Sequence, residues 1–340
     1  MTAALANVVD ANSRGHGDLV SIASRTAGTM AALIALVMAA TACQAADRLK
    51  LAVGAPGNWD TCIPAVGERA GIFRKHGLEL ELLYTQGGGE TLQAVISGSV
   101  DIGIAAGTGG VIGAFAKGAP LRIIAAGVTG ASDLYWYVPA KSPIQGFRDV
   151  AGRTVAYSTN GASTHITLLA LLKHYNVKAR PIAAGAGGVT LTQAMSGQID
   201  VGWASPPIGL DALREGKIRL IARGSDVPAT RDQTVRVHVA NADVLAARPD
   251  VIDRFVRAYR EAYDFLYNDP VAPRYFAELT KVSETLAIEI RDRFLPRDAM
   301  QPDHVSGIDA IMADAMEFKV LAAPLNRNQI DELIRIPPRR

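Results

Sequence analysis

One stretch of the chain occurs twice, and this duplication limits the possible folds more than any other feature. Residues 88–105 (GGETLQAVISGSVDIGIA) return as residues 187–204 (GGVTLTQAMSGQIDVGWA) at a constant offset of 99, and nine of the eighteen positions are identical. Each copy predicts a glycine turn, a short helix, a Ser-Gly stop and a buried strand, because glycine permits positive φ and β-branched residues favour strands. Each turn therefore leads into a helix N-terminus, where free backbone N–H groups favour a polar or anionic guest.

The duplication extends beyond these two copies, because predicted strands alternate with predicted helices in both halves of the chain. Such alternation favours parallel strands joined by right-handed crossovers. The predicted strands are 49–53, 78–83, 100–105, 121–126, 134–138, 152–157, 178–182, 199–204, 218–221 and 234–239. A long amphipathic helix is expected from Pro249 to Asn268, and the later helical segments near 285–294, 305–321 and 329–333 should pack back onto the first half.

Length and charge exclude some classes of protein. The 340 residues, 49% of them apolar, can bury a sizeable core and suggest about two domains. Thirty-five Lys and Arg residues against 33 Asp and Glu residues give a net charge of +2. This balance argues against a nucleic-acid partner, which usually requires a basic patch or stripe.

Residues 1–46 have the pattern of a signal peptide. Arg14 and Arg25 precede a short apolar run, 29–46, that ends in small residues and is too short to span a membrane as a helix. Cleavage is expected near Ala45 or Ala46, although 40–42 before Cys43 also resembles a lipoprotein signal. The chain has two cysteines, so cleavage beyond Cys43 leaves one thiol and no intramolecular disulfide. The expected location is the periplasm.

Three segments carry a resemblance to a known family. They are GIFRKHGLELEL (71–82), QAVISGSVDIG (93–103) and DVAGRTV (149–155). Together they resemble the solute-binding proteins of ABC importers for nitrate, sulfonates and taurine, a group that also includes binders of pyrimidine precursors. The resemblance covers about residues 49–330 and implies an α/β periplasmic-binding-protein fold of type II, with two lobes, a hinge and a ligand cleft between the lobes.

The resemblance also implies how the lobes are divided. Lobe I would comprise residues 47–134 and 235–340, and lobe II residues 135–234, with the chain crossing the hinge near 131–138 and 230–239. The implied function is delivery of a small organic or anionic solute, such as a sulfonate, nitrate or a taurine-like compound, to an ABC permease in the inner membrane. No enzyme activity and no cofactor are expected, and the protein should be a monomer.

An enzyme of cofactor biosynthesis on the same fold is the alternative function. The signal peptide argues against it, because a biosynthetic enzyme has no evident reason to be exported. The pyrimidine-synthesis relatives carry a cysteine cluster that this chain, with two cysteines, cannot match. A glycine-rich run at 107–113 only imitates a dinucleotide-binding fingerprint, since its spacing is one residue too long. The six histidines are scattered, and no metal site is expected.

The resemblance implies that the ligand contacts the loops at the carboxyl ends of strands, which is also where ligands of open parallel sheets bind. The residues implied are Asn58, Trp59, Asp60, Gly89, Glu90, Thr91, Gly107, Thr108, Thr159, Asn160, Ser163, Thr164, Trp203 and Ser205. These turns contain no Lys or Arg, so an anion would depend on backbone N–H groups and hydroxyls, whereas Asp60 and Glu90 could accept from an amine or hydroxyls.

Several of these residues have an equally good structural interpretation. Thr91 and Ser163 could serve only as helix caps, and Trp59 and Trp203 could pack inside a lobe. The repeated Asp101 and Asp200 are expected to be turn residues and not ligands. Because only the first copy has an acid after its two glycines, we expect an asymmetric site in which lobe I supplies most polar contacts and Trp59 an apolar wall.

Overall fold

The computed structural model describes residues 46–339. The expected signal peptide, apart from Ala46, and Cys43 lie outside the described residues. The strands are, in chain order, β1 (Asp47–Gly54), β2 (Leu78–Thr85), β3 (Ile102–Gly107), β4 (Leu121–Thr129), β5 (Tyr135–Pro139), β6 (Thr154–Tyr157), β7 (Arg180–Ala183), β8 (Gly202–Ala204), β9 (Ile218–Arg223) and β10 (Thr234–Asn241). The helices are α1 (Ile63–Arg69), α2 (Ile72–Lys75), α3 (Gly88–Ile96), α4 (Thr108–Ala116), α5 (Ser163–His174), α6 (Gly187–Met195), α7 (Leu210–Arg214), α8 (Ala242–Ala247), α9 (Pro249–Asn268), α10 (Ala272–Thr280), α11 (Glu284–Arg293), α12 (Ile308–Glu317) and α13 (Arg327–Leu333).

The strands form two groups. A five-stranded sheet has the order β2-β1-β3-β10-β4, and we call this sheet and the helices packed on it lobe I. A three-stranded sheet, β8-β5-β9, and a two-stranded sheet, β6-β7, form lobe II with their helices. A parallel bridge between Val155 and Val201 joins the two sheets of lobe II. Lobe II thus repeats the strand arrangement of lobe I, with β7, β6, β8, β5 and β9 in the places of β2, β1, β3, β10 and β4.

The expectation of parallel strands holds only within each repeat. β1 is parallel to β2 and β3, and β6 is parallel to β7. β10 is antiparallel to β3 and β4, and β5 is antiparallel to β8 and β9. Both exceptional strands enter their sheet directly from the other lobe, without a helical crossover that would restore the parallel direction. The five-stranded sheet of lobe I is therefore mixed, and lobe II combines a parallel pair with an antiparallel three-stranded sheet.

The chain passes between the lobes in two connections. Residues 130–134 link β4 to β5, and residues 224–233 link β9 to β10. The expected crossings at 131–138 and 230–239 overlap these connections but extend into β5 and β10. The expected lobe boundaries, 134/135 and 234/235, fall at the first residues of those strands and stay a prediction.

The C-terminal helices return to lobe I, as the sequence predicts. The apolar stripe of α9 is buried, and Phe255 stacks on Phe73 of α2 with ring centroids 5.8 Å apart. The segment 63–75 forms two helices, α1 and α2, which are separated at Gly71, whose φ is 74°. The helices α7, α8 and α10 were not predicted from the sequence. Within residues 46–339, no helix has both the length and the apolarity needed to cross a membrane.

Each copy of the repeat uses its aspartate in the same way. Asp101 Oδ2 accepts from the backbone N–H of Lys50 at 2.8 Å, next to the start of β3. Asp200 Oδ2 accepts from the backbone N–H of Thr154 at 2.9 Å and from its hydroxyl at 2.7 Å. In both lobes the aspartate therefore ties the strand of the repeat to the first strand of its sheet. Both are scaffold residues in the described structure, which agrees with their expected role as turn residues.

Candidate functional site

A small cavity lies where the two lobes meet. Its volume is about 30 Å³, which is enough for one or two water molecules, since one water needs at least about 10–15 Å³. The lining comes from the carboxyl ends of strands in both lobes, from the loops and helix starts that follow them, from Leu134 between β4 and β5, and from Arg236 of β10. The residues that line it are Gly54, Ala55, Asn58, Asp60, Thr61, Gly87, Gly88, Ala105, Leu134, Ser158, Ala162, Ser163, Thr164, Trp203 and Arg236.

Backbone contacts close the cleft around this cavity. The backbone N–H of Gly89, in the first turn of α3, donates to Thr159 Oγ1 of lobe II at 2.9 Å. A Cβ atom on Gly89 would lie 2.2 Å from the carbonyl oxygen of Asn160, and one on Gly107 would lie 2.3 Å from that of Gly161. Only glycine allows such close approach of two backbones. The structure is therefore a closed arrangement of the lobes, in which Gly89 of the first repeat and Gly107, two residues beyond that repeat, allow the contact.

A buried ion cluster lies at the base of the cavity. Arg236 Nη1 donates to Asp60 Oδ2 at 2.6 Å, and Arg236 Nη2 donates to both oxygens of Asp133 at 2.7 Å. Arg236 Nε donates to Ser163 Oγ at 3.2 Å, and Ser205 Oγ donates to Asp133 Oδ2 at 2.8 Å. The cluster thus joins lobe I, the connection between β4 and β5, and lobe II.

The charges of this cluster do not balance. One guanidinium faces two carboxylates, and the three side chains are 5% (Arg236), 3% (Asp60) and 0% (Asp133) exposed. Burial raises the pKa of Asp60 more than the charge of Arg236 lowers it. Burial lowers the pKa of Arg236, but the Asp133 and Asp60 carboxylates outweigh this effect, and the net shift is upward. Arg236 is therefore a cation at any physiological pH, whereas burial makes the ionised form of Asp60 less favourable than in water.

Two kinds of polar group face the cavity without a full set of partners. The first residues of α3 and of α5 bring helix N-termini to it, and the first N–H groups of a helix have no acceptor inside that helix. Asn58 Oδ1 and Asp60 Oδ1 are buried atoms that accept no hydrogen bond from residues 46–339. The cavity therefore offers both donors and acceptors to a small polar guest.

Five of the fourteen expected site residues line the cavity, namely Asn58, Asp60, Ser163, Thr164 and Trp203. Ser205 lies one hydrogen bond away, through Asp133. Gly89, Gly107 and Thr159 contribute to the contact between the lobes and not to the lining. Thr108 lines a separate small cavity and donates to the carbonyl oxygen of Thr234 at 2.5 Å. Asn160 is exposed, and its Oδ1 accepts from the hydroxyl of Tyr157 at 2.6 Å.

Three further residues that were expected to contact the ligand, Trp59, Thr91 and Glu90, do not line the cavity, because their side chains have other partners. Trp59 is fully buried, where its ring packs 4.7 Å from that of Phe276, so it does not form an apolar wall of the cavity. Thr91 is fully buried and bonds to Thr85 and to the carbonyl oxygen of Gly87, as a structural residue of α3. Glu90 is exposed, and its Oε2 accepts from the backbone N–H of Gln86 at 2.9 Å. Each of these side chains has its partners inside lobe I.

Arg236 is the main residue that the sequence analysis missed. The expected binding turns contain no Lys or Arg, but Arg236 reaches the cavity from the strand β10. A register shift between Arg236 and Val237 in the pairing of β10 with β4 marks a bulge at this point, and bulges can redirect a side chain. An arginine among the β-branched residues of TVRVHV is the one signal that could have identified it.

Comparison with solved structures supports the fold. The alkanesulfonate-binding protein SsuA of Xanthomonas axonopodis pv. citri has a TM-score of 0.70 at 18% identity, over 85% of this chain and 98% of its own. The periplasmic aliphatic sulphonate binding protein SsuA of Escherichia coli has a TM-score of 0.64 at 19% identity, over 86% and 93%. The chain has the periplasmic-binding-protein fold.

Comparison by sequence identifies the family, and the relatives that it finds are named as enzymes and not as binding proteins. A 4-amino-5-hydroxymethyl-2-methylpyrimidine phosphate synthase of Saccharomyces cerevisiae is 22% identical over 222 residues, or 61% of this chain. The match spans 63% of that relative, which is less than two thirds of its length. The family model described as NMT1/THI5 like matches residues 62–272. The chain therefore belongs to the NMT1/THI5-like family.

Proposed function

We propose that the chain is the extracytoplasmic solute-binding protein of an ABC importer, and that it carries one small solute in the cavity between its lobes to a permease in the inner membrane. The observation that carries the proposal is this cavity, which both lobes line and which contains unpartnered polar atoms. Its position between two α/β lobes suits binding by closure, because a solute that contacts both lobes stabilises the closed state. The binding-protein names of the structural neighbours support the same role.

The proposed solute is small. A cavity of about 30 Å³ is far below the roughly 300–1,000 Å³ of drug-sized ligand sites. A solute of a few non-hydrogen atoms must therefore enter while the lobes are open, and the side chains that line the cavity must move to make room for it when the lobes close. The proposal also includes export of the chain through the segment 1–46, with a lipid on Cys43 as the alternative to cleavage beyond it. The exported protein is proposed to be a monomer.

An enzyme of cofactor biosynthesis is the second candidate, and the names of the curated relatives favour it. Against it stands the hydrogen bonding of the lining: Asp60 Oδ2 accepts from Arg236 Nη1 at 2.6 Å and Ser163 Oγ accepts from Arg236 Nε at 3.2 Å, so this carboxylate does not activate this hydroxyl. Cys62 is buried beside Trp59, and burial raises the pKa of its thiol well above the usual range. We therefore favour binding without chemical conversion.

One experiment separates the two candidates. The mature chain is screened by thermal unfolding against sulfonates, nitrate, carboxylates, amino acids and pyrimidines, because a tight ligand stabilises the folded state by about 2.7 kcal/mol at a concentration of 100 Kd. A stabilising solute is then incubated with the protein and released by denaturation, and the mass of the released solute is measured by mass spectrometry. A binding protein returns the solute unchanged, with contraction of the protein in small-angle scattering. Conversion of the solute to a new mass would favour the enzyme.

A further inference from the structure

The charges and hydrogen bonds of the cavity indicate which chemical class of ligand it can bind, which the fold alone does not. Asp60 lines the cavity, is 3% exposed and directs one oxygen, Oδ2, to Arg236. The other oxygen, Oδ1, accepts no hydrogen bond from residues 46–339. A buried carboxylate oxygen without a donor is costly, so a ligand that supplies the donor gains affinity from this atom.

Arg236 does not provide a free cation for an anionic ligand. Its Nη1, Nη2 and Nε atoms already donate to Asp60, Asp133 and Ser163. The cluster carries one positive and two negative groups, all at least nine-tenths buried. A simple anion placed beside Asp60 would be repelled by the excess carboxylate and would leave Oδ1 without a donor.

The helix N-termini supply the complementary half of the site. α3 has nine residues and α5 has twelve, and both begin among the residues that line the cavity. An N-terminus carries roughly half a positive charge and favours an acceptor or anionic group. An acceptor end of the ligand can therefore lie against these helix starts while a donor end faces Asp60.

We propose that the cleft selects a solute that is a donor at one end and an acceptor at the other, with an N–H group that donates to Asp60 Oδ1, and that it discriminates against anions that have no such donor. Amino-substituted heterocycles, amino acids and amino sulfonates meet this requirement. Nitrate and simple alkanesulfonates do not. This inference rests on the proposed binding function and narrows the class of solute.

Matched pairs of solutes test the inference: the pyrimidine pair differs in the donor, and the sulfonate pair differs in the donor and in the positive charge that this donor carries. Taurine is compared with 1-propanesulfonate, and 4-aminopyrimidine with 4-methylpyrimidine, so that a methyl group replaces each amino group at similar size. Binding is measured by titration calorimetry and by the thermal unfolding midpoint. We expect the amino member of at least one pair to bind about 10- to 100-fold more tightly than its methyl partner, the range of a hydrogen bond to a charged group.

The variant Asp60→Asn tests whether Asp60 is the residue that accepts the hydrogen bond from the N–H group of the solute. Arg236 requires an acceptor, so the amide oxygen should turn to Arg236 and the amide nitrogen should face the cavity in place of Oδ1. The preference for the amino member should then be lost. Asp309→Asn is the matched control, since Asp309 is an exposed residue of α12 outside the cavity, and it should retain the preference.

The outcomes distinguish the inference from the proposed function. Equal or tighter binding of both methyl members overturns the inference and leaves solute binding intact. The same holds if only donor-free anions such as nitrate stabilise the protein, or if Asp60→Asn keeps the preference for the amino member. If no solute of any class stabilises the wild-type protein at millimolar concentration, the proposed function itself fails. The comparison of amino and methyl solutes on the wild-type protein is itself a test, so the inference can be overturned even if Asp60→Asn does not fold.

Discussion

The backbone N–H of Gly89 donates to Thr159 Oγ1 across the cleft at 2.9 Å, so the first repeat touches lobe II directly. The sequence analysis expected Gly89 to bring bare backbone to a ligand. In the structure the same absence of a side chain brings the backbone of lobe I to the backbone of lobe II. Gly89 therefore contributes to the contact between the lobes and does not line the cavity.

Gly89→Ala should hinder closure without unfolding the protein. Its Cβ would lie 2.2 Å from the carbonyl oxygen of Asn160, whereas alanine inside a helix is itself favourable. We expect a larger radius of gyration in small-angle scattering with a stabilising solute, and affinity at least about tenfold weaker, equivalent to about 1.4 kcal/mol.

The second repeat provides the matched control for this variant. Gly188 occupies the position equivalent to Gly89, and a Cβ atom there would meet no atom within 4 Å. Gly188→Ala should therefore close and bind as the wild-type protein does. If Gly89→Ala also does so, the glycine contact is not needed for closure.

Trp59 and Trp203 form a second matched pair. The indole N–H of Trp59 donates to Tyr267 Oη at 3.2 Å, and that of Trp203 donates to the carbonyl oxygen of Gly185 at 3.0 Å. Replacing either residue by Phe removes one hydrogen bond and some buried volume, at an expected cost of about 1–3 kcal/mol in the free energy of unfolding.

Only one of these two variants should affect binding. Trp203 lines the cavity and Trp59 does not, so Trp203→Phe should weaken affinity while Trp59→Phe should leave it unchanged. Denaturant unfolding and calorimetry measure the two effects separately. Loss of affinity in Trp59→Phe would restore the expectation that this ring faces the ligand.

The repeat made the fold predictable, because helix and strand periodicity is local. The strands and helices of both repeats and the long helix α9 follow from residues that are close in the sequence. The site was less predictable, since burial of a side chain depends on distant segments. Asp133 lies 103 residues from Arg236, and Phe276, which packs on Trp59, belongs to a helix that the sequence analysis missed. No local pattern reports such pairs.

The aspartates of the two repeats should affect stability and not binding. Asp200 accepts two hydrogen bonds from Thr154, and Asp101 accepts one from Lys50. We expect Asp200→Ala to lower the free energy of unfolding by about 1–3 kcal/mol and Asp101→Ala to lower it less. Urea unfolding gives both values. A change of solute affinity in either variant, at unchanged stability, would contradict the scaffold role.

His238 should make stability depend on pH in the acidic range. Its Nδ1 accepts from the backbone N–H of Ala105 at 3.1 Å, and burial lowers its pKa from 6.5 to about 3. Between these two values the unfolded chain binds a proton that the folded chain does not, so stability falls as the pH falls below 6.5 and is unaffected by this residue above it. The slope from one such group is at most about 1.4 kcal/mol per pH unit.

His238→Asn should flatten this slope, because its amide oxygen can replace Nδ1 as the acceptor for Ala105 and cannot bind a proton in this range. The variant should be less stable at neutral pH, since the smaller side chain leaves a cavity beside Tyr259, whose ring lies 4.7 Å from that of His238. Urea unfolding at a series of pH values from 4 to 8 measures both effects. His304→Asn, at an exposed position, should keep the wild-type slope. An equally steep slope in His238→Asn would assign the acid sensitivity to another group.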